Sequence, residues 1–224
     1  MQETMGDPYP PPPFDLSEFI NPIKKSVVAS RCARLRADLF LPRTPMALSA
    51  TTYKMHLNLS DTDRGVYEEL RHTIARHPSE TEERMTARIL AFGLFWDERM
   101  EFGRGLSDVD EAALWSKSLE GPIEHWVEVG RPDADRMKRC SRRADRLSVL
   151  AYGSQDVWAS QMLPKVAGLD NLAIASLPQP PMDELAIDLP RTIHWGLMIT
   201  DDVLYVSNAD RQIEIPLTWL KRPG

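Results

Sequence analysis

Glu128 is the residue whose surroundings most demand a chemical explanation. It lies in the segment His125 to Gly130, where Val127 and Val129 fall on one side of an alternating pattern and Trp126 and Glu128 on the other. A carboxylate among buried neighbours is costly unless a cation, a metal or a donor network accompanies it. An ion pair to an arginine and a metal-ligand role meet that demand equally well. Asp108, Asp110 and Glu111 form an acidic cluster just before a second apolar segment that begins near Ala112. Adjacent strands lie about 4.8 Å apart, so a carboxylate opening one strand can converge with Glu128 on the next. Such a pair could hold Mg²⁺, which takes one or two carboxylates together with waters and substrate phosphate. The alternative is a solvated acidic loop.

Other charged groups surround this pair in sequence. Glu82 and Glu83 open a helix, where negative charge favours the macrodipole. Capping accounts for Glu82, whereas Glu83 has no local role beyond exposure. Arg136, Arg139, Arg143 and Arg146 recur at spacings of three and four, flanked by Lys138 and Arg142, with Met137, Cys140 and Ala144 facing inward. That stripe is either a phosphate-contacting surface or the solvated face of an amphipathic helix. The five histidines show no zinc-ligand spacing, and two cysteines cannot build a structural zinc site. No G-x-S-x-G elbow, Walker loop or G-x-G-x-x-G turn is present, so hydrolase, NTPase and dinucleotide readings lack their mechanical parts.

The elements that must position these residues follow from hydrophobic periodicity. Ala50 to Leu59 alternates as a half-buried strand, and after the Asp61 to Gly65 turn, Val66 to Arg76 either pairs back as a hairpin, the favoured reading, or forms a short helix. A capping box at Ser79 and Glu82 starts a helix running to about Glu101, with Met85, Ile89, Phe92, Trp96 and Met100 on one buried face. Ala112 to Ser118 and Ile123 to Val129 form a second hairpin about Gly121-Pro122. A helix from Asp133 to about Arg146, a strand from Leu147 to Tyr152, a helix begun by Ser154 and a strand from Leu172 to Leu177 imply parallel pairing. Thr192 to Ile199, Val203 to Val206 and Gln212 to Leu217 read as a β-meander with turns at Thr200-Asp-Asp and Asn208-Ala-Asp.

Composition bounds the rest. An apolar fraction of 42% and a charged fraction of 27% over 224 residues suit one globular α/β domain plus an appendage. No apolar run has the roughly 18 residues that a spanning helix needs, which predicts a cytoplasmic protein. Cys32 and Cys140 fall on opposite sides of the domain boundary and are expected to stay unpaired. A net charge of −6 argues against bulk coating of nucleic acid, so any such site must be local. Eight of the eighteen prolines precede Met46, five of them between Pro8 and Pro13. Residues 1–45 are therefore expected to be a disordered extension, either a polyproline recognition tail or, as favoured, sequence upstream of a true start at Met46. Residues 46–224 form the domain.

Four stretches, Met46 to Lys54, Ala75 to Met85, Phe102 to Trp115 and Trp126 to Arg139, together with the Asp201-Asp202 turn, resemble the bacterial YaeQ family. The resemblance covers Met46 to Leu220 and none of the preceding residues. It implies a variant of the PD-(D/E)XK restriction-endonuclease-like fold, a mixed α/β sheet with an α-β-β-α-β core, here carrying an extra N-terminal hairpin and a C-terminal β-meander. In that superfamily an acid opens one strand and a D/E-X-K triplet lies on the next, with metal between them. Asp110 or Glu111 matches the first acid, Glu128 the second, and Glu83 an additional helix acid. Gly130 stands where lysine is expected, so Lys138 on the following helix is the candidate displaced cation. The implied activity is a Mg²⁺-dependent phosphodiesterase on nucleic acid, with Arg136, Arg139 and Arg143 contacting the strand. The rival, which Gly130 favours, is a non-catalytic module binding nucleic acid or a protein partner.

Overall fold

The structure, a computed structural model, describes residues 50–104 and 110–222. The proline-rich extension and Asp108 lie outside the described residues. Two mixed sheets make up the frame. The first has the order β10-β9-β8-β1-β2, built from β1 (Thr51–Asp61), β2 (Val66–Arg76), β8 (Thr192–Thr200), β9 (Val203–Ser207) and β10 (Gln212–Pro216). The second has the order β11-β7-β6-β5-β4-β3, built from β3 (Met100–Phe102), β4 (Leu114–Lys117), β5 (Ile123–Val129), β6 (Ala144–Tyr152), β7 (Leu172–Leu177) and β11 (Thr218–Lys221).

Alternation in β1 sends Tyr53, Met55, Leu57 and Leu59 into the core, and β2 pairs with it antiparallel as the hairpin reading requires. The turn residues Asp201 and Asp202 both adopt positive φ, 52° and 58°, a conformation that aspartate tolerates better than most residues. In the second sheet β4 and β5 are antiparallel, while β5, β6 and β7 are parallel and joined by α2 (Ala134–Ser141) and α3 (Asp156–Val166). Val127 and Val129 face the core shared with the first sheet. Trp126, Leu147 and Val149 face Met137, Cys140 and Val166 on the other side. Among the described residues no helix is long and apolar enough to cross a membrane.

Several boundaries differ from the sequence reading. The first helix, α1, spans Glu82–Leu94 and is capped by Thr81, whose hydroxyl accepts from the Arg84 amide at 3.1 Å. The Ser79 capping box does not form because Ser79 is bonded to His77 (2.6 Å) and Glu82 to Arg76 (2.8 Å). Every residue from Met85 to Leu94 is buried, so beyond its first turn α1 has no solvent face. It stops before Trp96, and a turn at Asp97, whose side chain accepts from the Arg99 amide at 3.0 Å, delivers Met100 into β3.

The second helix is also shorter than expected. α2 ends at Ser141, and β6 begins at Ala144, opposite Ile123 of β5. Asn171 closes the helix end by donating to the carbonyls of Ser141 (2.9 Å) and Ala144 (3.0 Å). Arg143 and Arg146 therefore leave the helical stripe, the first into the turn and the second into β6. A further helix, α4 (Gln179–Ala186), follows Pro178 where the sequence reading has no element.

Candidate functional site

A cavity of about 620 Å³ opens at the carboxyl ends of β5 and β6. The first turns of α1, α2 and α4 border it, so the positive ends of three helix dipoles meet there. Its charged lining is Glu83, Arg84, Glu111, Glu128, Arg131 and Arg136.

Glu128 is 4% exposed, and its Oε1 gathers the site. The Trp126 indole donates to it at 2.7 Å from two residues away on the same strand face, and Arg136 Nη2 donates to it at 2.7 Å from the first turn of α2. Cys140, one helical turn further on, points its thiol at the same oxygen from 3.7 Å. Oε2 accepts no hydrogen bond from the described residues and remains available to the cavity. Arg136 also donates to the Glu111 carbonyl at 3.1 Å, tying α2 to the chain that enters β4. Burial is the largest effect on Arg136 and disfavours its charge, but the hydrogen bond and charge of Glu128 outweigh it and raise the guanidinium pKa. Burial, reinforced by the Glu128 charge, pushes the Cys140 thiol up to about 11, which makes it a poor nucleophile.

Gly130 follows Glu128 by two residues and has φ +103°, backbone that a side chain at this position rarely adopts. A Cβ there would meet the Arg84 guanidinium at 3.4 Å. Arg84 reaches across from α1, donates to the Val129 carbonyl and lies 3.7 Å from Glu80 through Nε. A cation thus stands over Gly130, the position at which the sequence resemblance led to the expectation of a lysine. It comes from a residue 46 positions earlier in the chain, adjacent to Glu83.

The remaining expected residues are distributed unevenly. Glu83 lines the cavity and accepts from Gln179 of α4 at 2.8 Å. Glu111 lines it and accepts from the Arg104 amide at 3.1 Å, with the Arg104 side chain 3.7 Å away. Asp110 is exposed outside the lining, where its carbonyl accepts from Arg143 at 3.2 Å. Lys138 is half-buried and Arg139 exposed on α2, and neither borders the cavity. Arg143 packs over the Trp126 ring at 4.8 Å. Arg84, Arg131, Tyr152 and Gln179 were not foreseen. Only the gap at Gly130 hinted that a cation must come from elsewhere.

The donor set does not fit a resident divalent cation as arranged. Among the described residues no three His, Cys, Asp or Glu side chains come together to hold one, and one oxygen of Glu128 is committed to a guanidinium and an indole.

The family model for YaeQ protein matches residues 46–217, and the chain belongs to that family. The uncharacterized YaeQ protein of Salmonella typhi is 37% identical over 181 residues, covering 80% of this chain and 100% of its own length. Its counterpart in Escherichia coli K12 is 34% identical over the same coverage. The crystal structure of YaeQ from Pseudomonas syringae superposes with a TM-score of 0.75 at 54% identity, over 77% of this chain and 97% of that one. The YaeQ structure from Xanthomonas axonopodis pv. citri gives 0.76 at 32% identity, over 78% and 100%.

Proposed function

We propose that this YaeQ-family protein binds the phosphate backbone of a nucleic acid in the cavity between α1, α2 and β5. In this reading the scaffold is a PD-(D/E)XK restriction-endonuclease-like core in which arginines stand where metal and lysine would be. The observation that carries it is the placement of Arg136 on Glu128. Further support comes from Arg84 over Gly130 and from the order α1-β3-β4-β5-α2-β6, in which β3, β4 and β5 pair antiparallel and β5 and β6 parallel. Helix amino termini and arginines are the groups that bind phosphate oxygens without reading sequence. Arg84, Arg131 and Arg136 line the cavity in a chain of net charge −6 and supply the local cations such binding requires.

The second reading, a Mg²⁺-dependent phosphodiesterase, is favoured by one observation. Glu83, Glu111 and Glu128 share the cavity, and Glu128 keeps Oε2 free of hydrogen bonds from the described residues. It requires Arg136 to leave Glu128 and assigns the lysine's role to Arg84 or Lys138.

One experiment separates the two. Mg²⁺ and Mn²⁺ are titrated calorimetrically into the full chain and its Glu128→Ala variant, alongside anisotropy and cleavage assays on DNA and RNA oligonucleotides. The binding reading expects metal-independent association that weakens with salt and drops about tenfold in Arg131→Ala/Arg136→Ala, without cleavage. Metal binding abolished by Glu128→Ala, together with strand cleavage, would overturn it in favour of the phosphodiesterase.

A further inference from the structure

The opposite end of the second sheet holds another cavity, of about 800 Å³, within the size range of small-molecule sites. It lies at the amino ends of β6 and β7, beneath the C-terminal end of α1. Phe95, Trp96, Leu217 and Trp219 give it an apolar wall. His125, 4% exposed, is part of the lining. Its Nε2 is bonded to Ser148 Oγ at 2.9 Å, while Nδ1 has no hydrogen-bond partner among the described residues. A buried ring nitrogen left in that state is costly.

The charge around the cavity is lopsided. Six aspartates and three arginines line it. Each arginine is paired: Arg64 with Asp61 at 2.6 Å, Arg222 with Asp202 at 2.9 Å, and Arg146 with Asp97 at 3.9 Å. Asp63, Asp145 and Asp170 are left at the exposed rim without a cationic partner among the described residues. Burial pushes the His125 pKa down to about 4, so it supplies no positive charge at neutral pH. One cation already uses this chemistry. Arg222 sits 4.9 Å over the Trp219 ring and is held by Asp202, which also accepts from the Trp219 indole at 2.7 Å.

We propose that this second cavity binds a small organic cation, an amine, amidinium or guanidinium carried on an apolar body. The charged end lies among the rim aspartates, and the body packs on Phe95, Trp96 and Leu217. The site shares no lining residue with the Glu128 cavity, so it stands or falls separately from the phosphate reading.

Benzamidine is the test ligand and benzoate its anionic counterpart of similar shape, each titrated into the full chain by calorimetry while the indole N–H signals of Trp96 and Trp219 are followed by NMR. Saturable benzamidine binding that shifts both signals is expected, about fivefold weaker in Asp145→Asn/Asp170→Asn, weaker in added salt and unchanged in Glu128→Gln. Both aspartates are exposed, so the double variant should melt as the parent does. Benzoate binding as tightly, benzamidine failing to saturate, or the double variant binding as the parent does would each overturn the proposal.

Discussion

The closest contacts of two interior glutamates with arginine, Glu80 with Arg88 and Glu128 with Arg136, are electrostatic opposites. Glu80 and Arg88 are both sealed, with no side-chain exposure at all. Arg88 Nη1 donates to both Glu80 oxygens at 2.9 and 3.1 Å, and Nη2 reaches the Gly103 carbonyl at 3.2 Å. Desolvation dominates there and pushes the Arg88 pKa below its ordinary value despite the partner. Glu128 and Arg136 sit at a cavity wall, with side chains 5% and 24% exposed. There the partner wins, and the Arg136 pKa rises. The first pair locks α1 to the entry of the second sheet. The second leaves one carboxylate oxygen and one guanidinium facing space that another molecule can fill. A buried charge pair is therefore weak testimony to function until its access to solvent is known.

The largest expected effect comes from breaking the sealed pair. Arg88→Met takes both close hydrogen bonds from Glu80 and leaves it only the Arg84 charge at 3.7 Å, and should cost about 3–5 kcal/mol by urea unfolding. A loss no greater than that of Arg136→Met would erase the contrast. Acidification should come next, through His125 rather than through either pair. Its folded pKa of about 4 lies below the unfolded value near 6.5, so between those values the unfolded chain binds the extra proton. Stability from keeping His125 neutral is complete above about pH 6.5 and falls by up to about 3 kcal/mol as the pH drops towards 4. His125→Asn should flatten that part of a pH-resolved unfolding curve, and an unchanged slope would assign the loss to other groups.

The contrast between the pairs also explains what could be read from sequence. β5 was legible because its neighbours alternate without interruption, and a lone acid in such a strand must have a partner. The partner's identity was not legible, because Arg136 looked like one tooth of a stripe continuing to Arg146. That stripe is an accident of spacing. The helix stops at Ser141, since Ala144 to Arg146 are needed opposite Ile123 to His125, and periodicity cannot see a sheet register. The start of α1 was placed within a few residues, but its burial on all sides from Met85 onward was not, because Arg88 reads as polar until Glu80 is seen beside it. At Gly130 the sequence resemblance led to the expectation of a lysine, and with it the question of which cation stands there. Arg84 supplies one across a tertiary contact that no local pattern encodes.

Arg136→Met should be milder than Arg88→Met, about 1–3 kcal/mol, since Glu128 keeps the Trp126 donor and Oε2 can be hydrated from the cavity. The same variant should lose affinity for oligonucleotides, whereas Arg88→Met should keep it wherever the fold survives. Anisotropy measured beside the unfolding curves tests that separation.

The smallest and most diagnostic change is at Gly130. Gly130→Ala asks a side chain to adopt φ +103° and should cost about 1 kcal/mol. The new Cβ has room, because the Arg84 guanidinium lies at ordinary contact distance. Oligonucleotide binding should therefore survive Gly130→Ala nearly intact but weaken in Gly130→Lys, whose ammonium must share the place that Arg84 occupies. If Gly130→Lys instead confers Mg²⁺-dependent cleavage, lysine was the one part missing, and the Glu128 pair would be a metal site held closed by Arg136.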